Sequence, residues 1–276
     1  MTRSPDVREA TDLTYDSYLK VPQLLALQDP LSEPQHHDEL LFIIIHQAYE
    51  LWFKLILHEV EKAMQFMGEG QLLRARHFVH RAVQIMKLLV DQIHILETMT
   101  PADFLEFRNH LNPASGFQST QFRELEFAAG LKDPRYLRYF QNLPASVERL
   151  NRRLAEPDLR QVYHELLRGL GFDLPSAPLP WDEATEKEAT LALLPLYQAP
   201  EKQMPLYMLS ESLLELDEQL ILWRIHHVHV VERIIGGRMG TGGSSGSSYL
   251  RTTTEKKCFP ELWAVRTVLQ EGHGIG

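Results

Sequence analysis

The chain has 276 residues, a formal net charge of −9 and 44% apolar residues. That is enough apolar material for one sizeable core, and the acidic balance, with no clustered run of Lys and Arg, argues against a nucleic-acid partner. A single cysteine, Cys258, excludes an internal disulfide framework and fits a reducing, cytoplasmic setting; no apolar stretch reaches the ~18 uninterrupted residues of a membrane span, and residues 1–12 are too polar for a signal peptide.

Beyond the N-terminal segment 1–20, residues 38–67 lack Gly and Pro and step their apolar positions by three and four. This predicts a long helix. Ile43, Ile44 and Ile45 alone could be a strand, but their breaker-free setting reads as buried helix. Gly68-Glu69-Gly70 separates a second helix, over 71–99. Thr100-Pro101-Ala102-Asp103 reads as a helix start, with Thr as cap, Pro at the first position and Asp reaching back. That helix is expected to run to about Leu111, before Asn112-Pro113 ends it and Ser115-Gly116 forms loop. Helices follow over 118–129, stopping at Gly130, and over 144–170 in one or two pieces. Residues 174–181 form a Pro-rich connection and 183–197 are helical again. Residues 205–235 carry a Pro only at the first helical position. A Gly/Ser-rich loop, 236–248, comes next. With no internal repeat and no alternating strand pattern, the expectation is an all-α fold in one domain spanning 1–276.

Two histidines interrupt apolar stripes. In the late helix Leu206, Leu209, Leu213, Leu216, Leu220, Trp223, His227, Val230 and Ile234 step by three and four, and His227 is the polar member. His226 and His229 fall off that line. In the early helix Phe42, His46, Tyr49, Phe53, Ile56, Val60, Ala63 and Met67 do the same, with His46 as the exception. A buried imidazole needs a partner. For either residue alone a backbone carbonyl would serve. Two such histidines on separate helices, each in an apolar wall, fit a haem pocket better, with one imidazole nitrogen on iron. Zinc fits poorly, because it wants three or four convergent ligands and the adjacent His226 and His227 point about 100° apart on a helix.

Phe104 and Arg108 are four apart and share a helix face. An aromatic beside a guanidinium can sandwich an aromatic amino acid while forking its carboxylate; the other reading is an arginine stem lying over Phe104 or Phe107. The stretch Gly240-Thr241-Gly242-Gly243-Ser244-Ser245-Gly246 offers backbone N–H groups and small hydroxyls that can wrap a ligand closely. Its Gly242 to Gly246 portion matches the nucleophile-elbow pattern, but a helix precedes it where that motif needs a strand, and it fails as a dinucleotide fingerprint for the same reason.

The stretch Trp223-Arg224-Ile225-His226-His227-Val228-His229-Val230-Val231-Glu232-Arg233, followed by the Gly/Ser loop, resembles the C-terminal signature of the tryptophan 2,3-dioxygenase family. So does Phe42-Ile43-Ile44-Ile45-His46-Gln47-Ala48-Tyr49-Glu50-Leu51-Trp52. So does Phe107-Arg108 with Pro113-Ala114-Ser115-Gly116-Phe117-Gln118-Ser119. Tyr15, Tyr18 and Leu19 match a motif ahead of the first long helix. The resemblance implies haem b, one per subunit, with His227 as the axial iron ligand. It implies that His46 bonds the indole N–H and that Phe42 packs on the indole, with Ile43, Ile44 and Ile45 as further substrate-contact positions of that block. It implies that Arg108 pairs with the substrate carboxylate, that Thr241 contacts the amino acid's polar end and that Ser115 lies near both ligands. At Phe104 the family carries Tyr or Phe, so a hydroxyl contact to the carboxylate is missing here. The implied reaction joins L-tryptophan and dioxygen to N-formylkynurenine, the first step of the kynurenine pathway, in a cytoplasmic homotetramer whose segment around Tyr15, Tyr18 and Leu19 reaches a neighbouring subunit. Without the resemblance, three readings stay open: a haem or oxygen carrier, a hydrolase using Ser244, and a helical scaffold with no chemistry.

Overall fold

The computed structural model describes residues 13–238 and 250–269, which are helical with no strand among them. Two short helices, α1 (Tyr15–Leu19) and α2 (Val21–Leu24), lead into α3 (His37–Gly68) and α4 (Leu72–Leu96). Then come α5 (Pro101–Arg108), α6 (Thr120–Ala129), α7 (Pro144–Ala155) and α8 (Leu159–Gly169). The last four described are α9 (Glu183–Ala192), α10 (Leu194–Gln198), α11 (Met204–Ile235) and α12 (Pro260–Val268). The helix expected over 183–197 is thus two pieces, because Pro195 restarts the chain after Leu193. The one expected to run from Pro101 to Leu111 tightens into a 3-10 turn after Arg108.

Local chemistry sets most ends. Thr100 and Asp103 form the reciprocal capping box expected at the start of α5. Asp158 and Gln161 do the same for α8. Gly130 closes α6 at φ +117, and a Cβ there would meet the Arg160 Cβ at 3.2 Å, so this position demands glycine on both counts.

The stripes predicted from spacing are the core. On α11 every apolar member from Leu206 to Ile234 is buried, and on α3 so are Tyr49, Phe53, Ile56, Val60, Ala63 and Met67. The α4 helix packs against both α3 and α11, whose own backbones do not approach one another among the described residues. The α6 and α8 helices lean on α3, and α12 packs on α9. By length and hydropathy α3 would suffice to cross a membrane, which the sequence reading did not anticipate; here its apolar stripe is spent on the helical core, while Leu40, Ile44 and Leu51 stay exposed.

One pin holds the C-terminal end. Asp217, fully buried on α11, accepts from the backbone N–H of Cys258 at 2.9 Å, of Phe259 at 3.0 Å and from the Trp263 indole N–H at 3.0 Å. It thereby satisfies donors at the start of α12 that no helix turn can reach.

Candidate functional site

Several segments wall one cavity, among them α4 through Ile93 and Leu96 and α6 through Phe122, Arg123 and Glu126. The α3 helix brings Phe42, His46, Tyr49, Glu50 and Phe53; α5 brings Phe104 and Arg108; α11 brings Trp223, Arg224, His227 and Val230. The turn before α6 adds Ser115, Gly116, Phe117 and Ser119. Because α3 and α11 are held apart by α4, the two stripe histidines reach the cavity from separate walls.

His227 is partly accessible, and the surface it shows is cavity wall. It makes no hydrogen bond to any described residue. Its ring stacks on Trp223, centroids 5.0 Å apart and planes 17° apart, and Trp223 packs in turn on Phe122 at 4.5 Å. Burial, with His46 adding a smaller push, lowers its pKa to about 4. The imidazole is therefore neutral at physiological pH, with a lone pair to give. Of the three neighbouring histidines only this one fronts the cavity: His226 meets His94 edge-on at 5.3 Å, and His229 is exposed.

His46 places Nδ1 2.7 Å from the Phe42 carbonyl. A carbonyl only accepts, so Nδ1 carries the hydrogen and Nε2 is left as an acceptor. The ring's accessible area is the cavity surface, so although exposed it still loses bulk water. That desolvation lowers its pKa, against smaller upward pushes from the Phe42 carbonyl and the Glu50 charge. The result is a neutral imidazole able to accept from an N–H.

Phe42 lies 4.1 Å from the His46 ring and 5.8 Å from Phe104, so an aromatic surface continues from α3 onto α5. Arg108 sits one turn beyond Phe104 and also fronts the cavity. Ser115 caps the 3-10 turn Gly116–Gln118, its Oγ accepting from Phe117 N at 3.4 Å. Part of the wall is a buried ion group that sequence reasoning missed. Glu126 of α6 accepts from Arg224 at 2.8 Å and from Arg123. Burial pushes the Glu126 carboxyl up, but the two guanidinium groups outweigh it and hold it below the usual range.

Other expected residues lie elsewhere. Ile43 is partly buried, Ile44 is exposed and Ile45 is in the core; none of the three fronts the cavity. Tyr15, Tyr18 and Leu19 lie on α1, outside the cavity wall and exposed. Thr241 and the loop from 239 to 248 lie outside the described residues. Given no role in the sequence reading were Glu50, which follows His46 by one helical turn, and Trp223, which figured there as a stripe member; the second could have been found as the stripe residue one turn before His227.

The family described as tryptophan 2,3-dioxygenase matches residues 3–173 and 184–269. The unmatched gap falls on the connection between α8 and α9. A tryptophan 2,3-dioxygenase of Nocardioides sp. is 49% identical over 266 residues, 95% of this chain and 96% of its own. One of Herpetosiphon aurantiacus is 46% identical over 258 residues, 93% of this chain and 98% of its own. One of Caulobacter vibrioides is 44% identical over 264 residues, 94% and 100% respectively.

Proposed function

The chain belongs to the tryptophan 2,3-dioxygenase family, and from that membership we propose how its residues divide the work of adding both atoms of dioxygen across the indole C2–C3 bond of L-tryptophan. Atoms balance without an external reductant: tryptophan plus dioxygen equals N-formylkynurenine.

His227 would hold the iron of one haem b per subunit. The observation that carries this is a neutral imidazole in an apolar wall, showing surface to a cavity and bonded to no described residue. When bound, the haem supplies the iron centre at which dioxygen is activated. The remaining work belongs to the chain. His46 Nε2 accepts the indole N–H and orients the ring, while Nδ1 stays locked to the Phe42 carbonyl. Phe42 and Phe104 supply the aromatic surface on which the indole rests. Arg108 forks the carboxylate. Phe104 offers no hydroxyl, which leaves more of that binding to Arg108 and, beyond the described residues, to Thr241. Ser115 and its turn close the pocket beside both ligands, and the dry wall keeps water from competing.

The whole chain acts as a single haem-binding domain, supported by one main core cluster running from α3 to α12. It works in the cytoplasm as a homotetramer. In support, Tyr15 and Tyr18 are 75% and 71% exposed, and Leu13, Leu24 and Leu25 are exposed beside them. Such an apolar segment calls for a cover, and a neighbouring subunit's site supplies it. Ile43, Ile44 and Ile45 then serve the substrate only indirectly, through the backbone of α3.

The test is the absorption spectrum of purified protein. A Soret band that shifts on adding L-tryptophan is expected, and His227→Ala should purify without stably coordinated haem. A colourless parent, or an unaltered haem spectrum in that variant, refutes the assignment.

A further inference from the structure

Glu50 puts a carboxylate into an otherwise largely apolar stretch of α3, one turn after His46 and on the cavity wall. A carboxylate there needs donors. It takes them all from one short stretch of chain. Its Oε1 accepts from the Ser119 hydroxyl at 2.5 Å, and its Oε2 accepts from Gln121 Nε2 at 2.8 Å. The same Gln121 amide also donates to the Glu50 backbone carbonyl at 2.8 Å. Ser119 is at the same time the N-cap of α6, accepting from Phe122 N at 3.2 Å. It is also the last residue of the turn whose Ser115, Gly116 and Phe117 face the cavity.

Both carboxylate oxygens are therefore engaged by protein donors. What the arrangement does is mechanical. It clamps the turn before α6 to the helix that carries His46, across 69 and 71 residues of sequence. We propose that Glu50 is a positioning residue for tryptophan, setting the gap between the His46 ring and the Ser115–Ser119 turn into which the substrate fits. This rests on the reading of the cavity as the haem and tryptophan pocket.

The polarity of the clamp makes the test specific. In Glu50→Gln the new amide keeps one acceptor for Ser119 but turns its NH2 toward the NH2 of Gln121, donor against donor. With one charge-assisted bond lost and a repulsion gained, KM for tryptophan should rise about tenfold. Haem per chain should be unchanged and kcat should stay within about twofold. Reversing the pair in the double variant E50Q/Q121E restores donor to acceptor, and KM should return to within about threefold of the parent. The residual deficit reflects the second bond of residue 121, because the Q121E carboxylate cannot donate to the residue-50 backbone carbonyl and meets it acceptor to acceptor. A purely structural role would lower thermal stability or haem loading without this split and without rescue by reversal.

An E50Q protein with the parent's KM overturns the proposal. So does a double variant no better than E50Q. If E50Q fails to take up haem, Gln121→Ala carries the test, because its side chain bonds only to Glu50 among the described residues: raised KM with full haem supports the clamp, and the parent's KM overturns it. A parent protein whose Soret band ignores tryptophan overturns the pocket reading and the clamp's purpose together, whereas the variant outcomes overturn the clamp alone.

Discussion

Asp217→Ala is the substitution whose cost can be worked most directly. It strips the acceptor from three donors: the backbone N–H groups of Cys258 and Phe259 and the Trp263 indole N–H. Cys258 and Phe259 are each 1% exposed, so no water replaces the lost oxygen there. Trp263 is only partly buried and can turn to solvent. Two orphaned buried donors at about 1–3 kcal/mol each come to about 4 kcal/mol. For a chain of this size that corresponds to a fall in Tm of roughly 7 °C. Trp263→Phe removes only the half-exposed donor and should cost about 1 kcal/mol. Thermal unfolding followed by circular dichroism, with haem loading matched between samples, measures both. Hydrogen exchange should show the loss concentrated in α12, since its N-terminal donors lose their anchor. His227 lies ten residues along α11, about 15 Å away at 1.5 Å per residue, so kcat/KM at low temperature should hold within about twofold. A Tm within about 2 °C of the parent, or equal losses for D217A and W263F, would refute the pinning argument.

Arg108→Ala should lose about 10²–10³ in kcat/KM for tryptophan, the value of a buried charge-assisted fork, while haem content stays normal; unchanged steady-state kinetics would remove Arg108 from the site. His46→Ala should keep appreciable turnover and bind tryptophan less tightly, because the role proposed for His46 is to orient the indole as an acceptor, not to serve as an obligatory base; loss of all turnover with both ligands bound would contradict that role. Acid stability follows from Glu126 and Glu261. Burial raises both carboxyls, but the buried Arg123 and Arg224 for Glu126, and the hydrogen bond from His164 together with the Arg160 guanidinium for Glu261, win and hold them below the usual carboxylate range. A lowered folded pKa gives stability that is complete above the unfolded value and is lost as pH falls through the folded one. Urea midpoints should therefore be flat from neutrality to about pH 5 and drop below about 4.5; a Glu261→Gln variant with the same acid limb as the parent would speak against it.

What could be read from the chain divides by range. The helical step of three and four selected His227 over His226 and His229 and selected His46, because periodicity is a property of one segment. The capping box at Thr100 and the stop at Gly130 were legible for the same reason. The α12 helix was not anticipated, although Pro260 opens it and Phe259, Leu262 and Val265 recur along it, because its start is held by Asp217, 41 residues upstream. The grip of Glu50 on Ser119 is equally silent in sequence. Each residue alone reads as a polar position on a helix surface or a cap, and only the fold brings them together. The position of Ile43 to Ile45 shows the converse: neighbours in a motif point to different sides of a helix, so membership of a signature block does not place a side chain in the cavity.

The α4 helix contributes neither histidine, yet it stands between the two helices that do. Helices pack with axes about 8–10 Å apart, according to the side chains between them. The cavity between them is therefore gauged by the girth of a third helix, which also lends it wall at Ile93 and Leu96. Bore and chemistry thus sit on separate helices: resizing Ile93 or Leu96 would widen or narrow the pocket while His46 and His227 stay as they are.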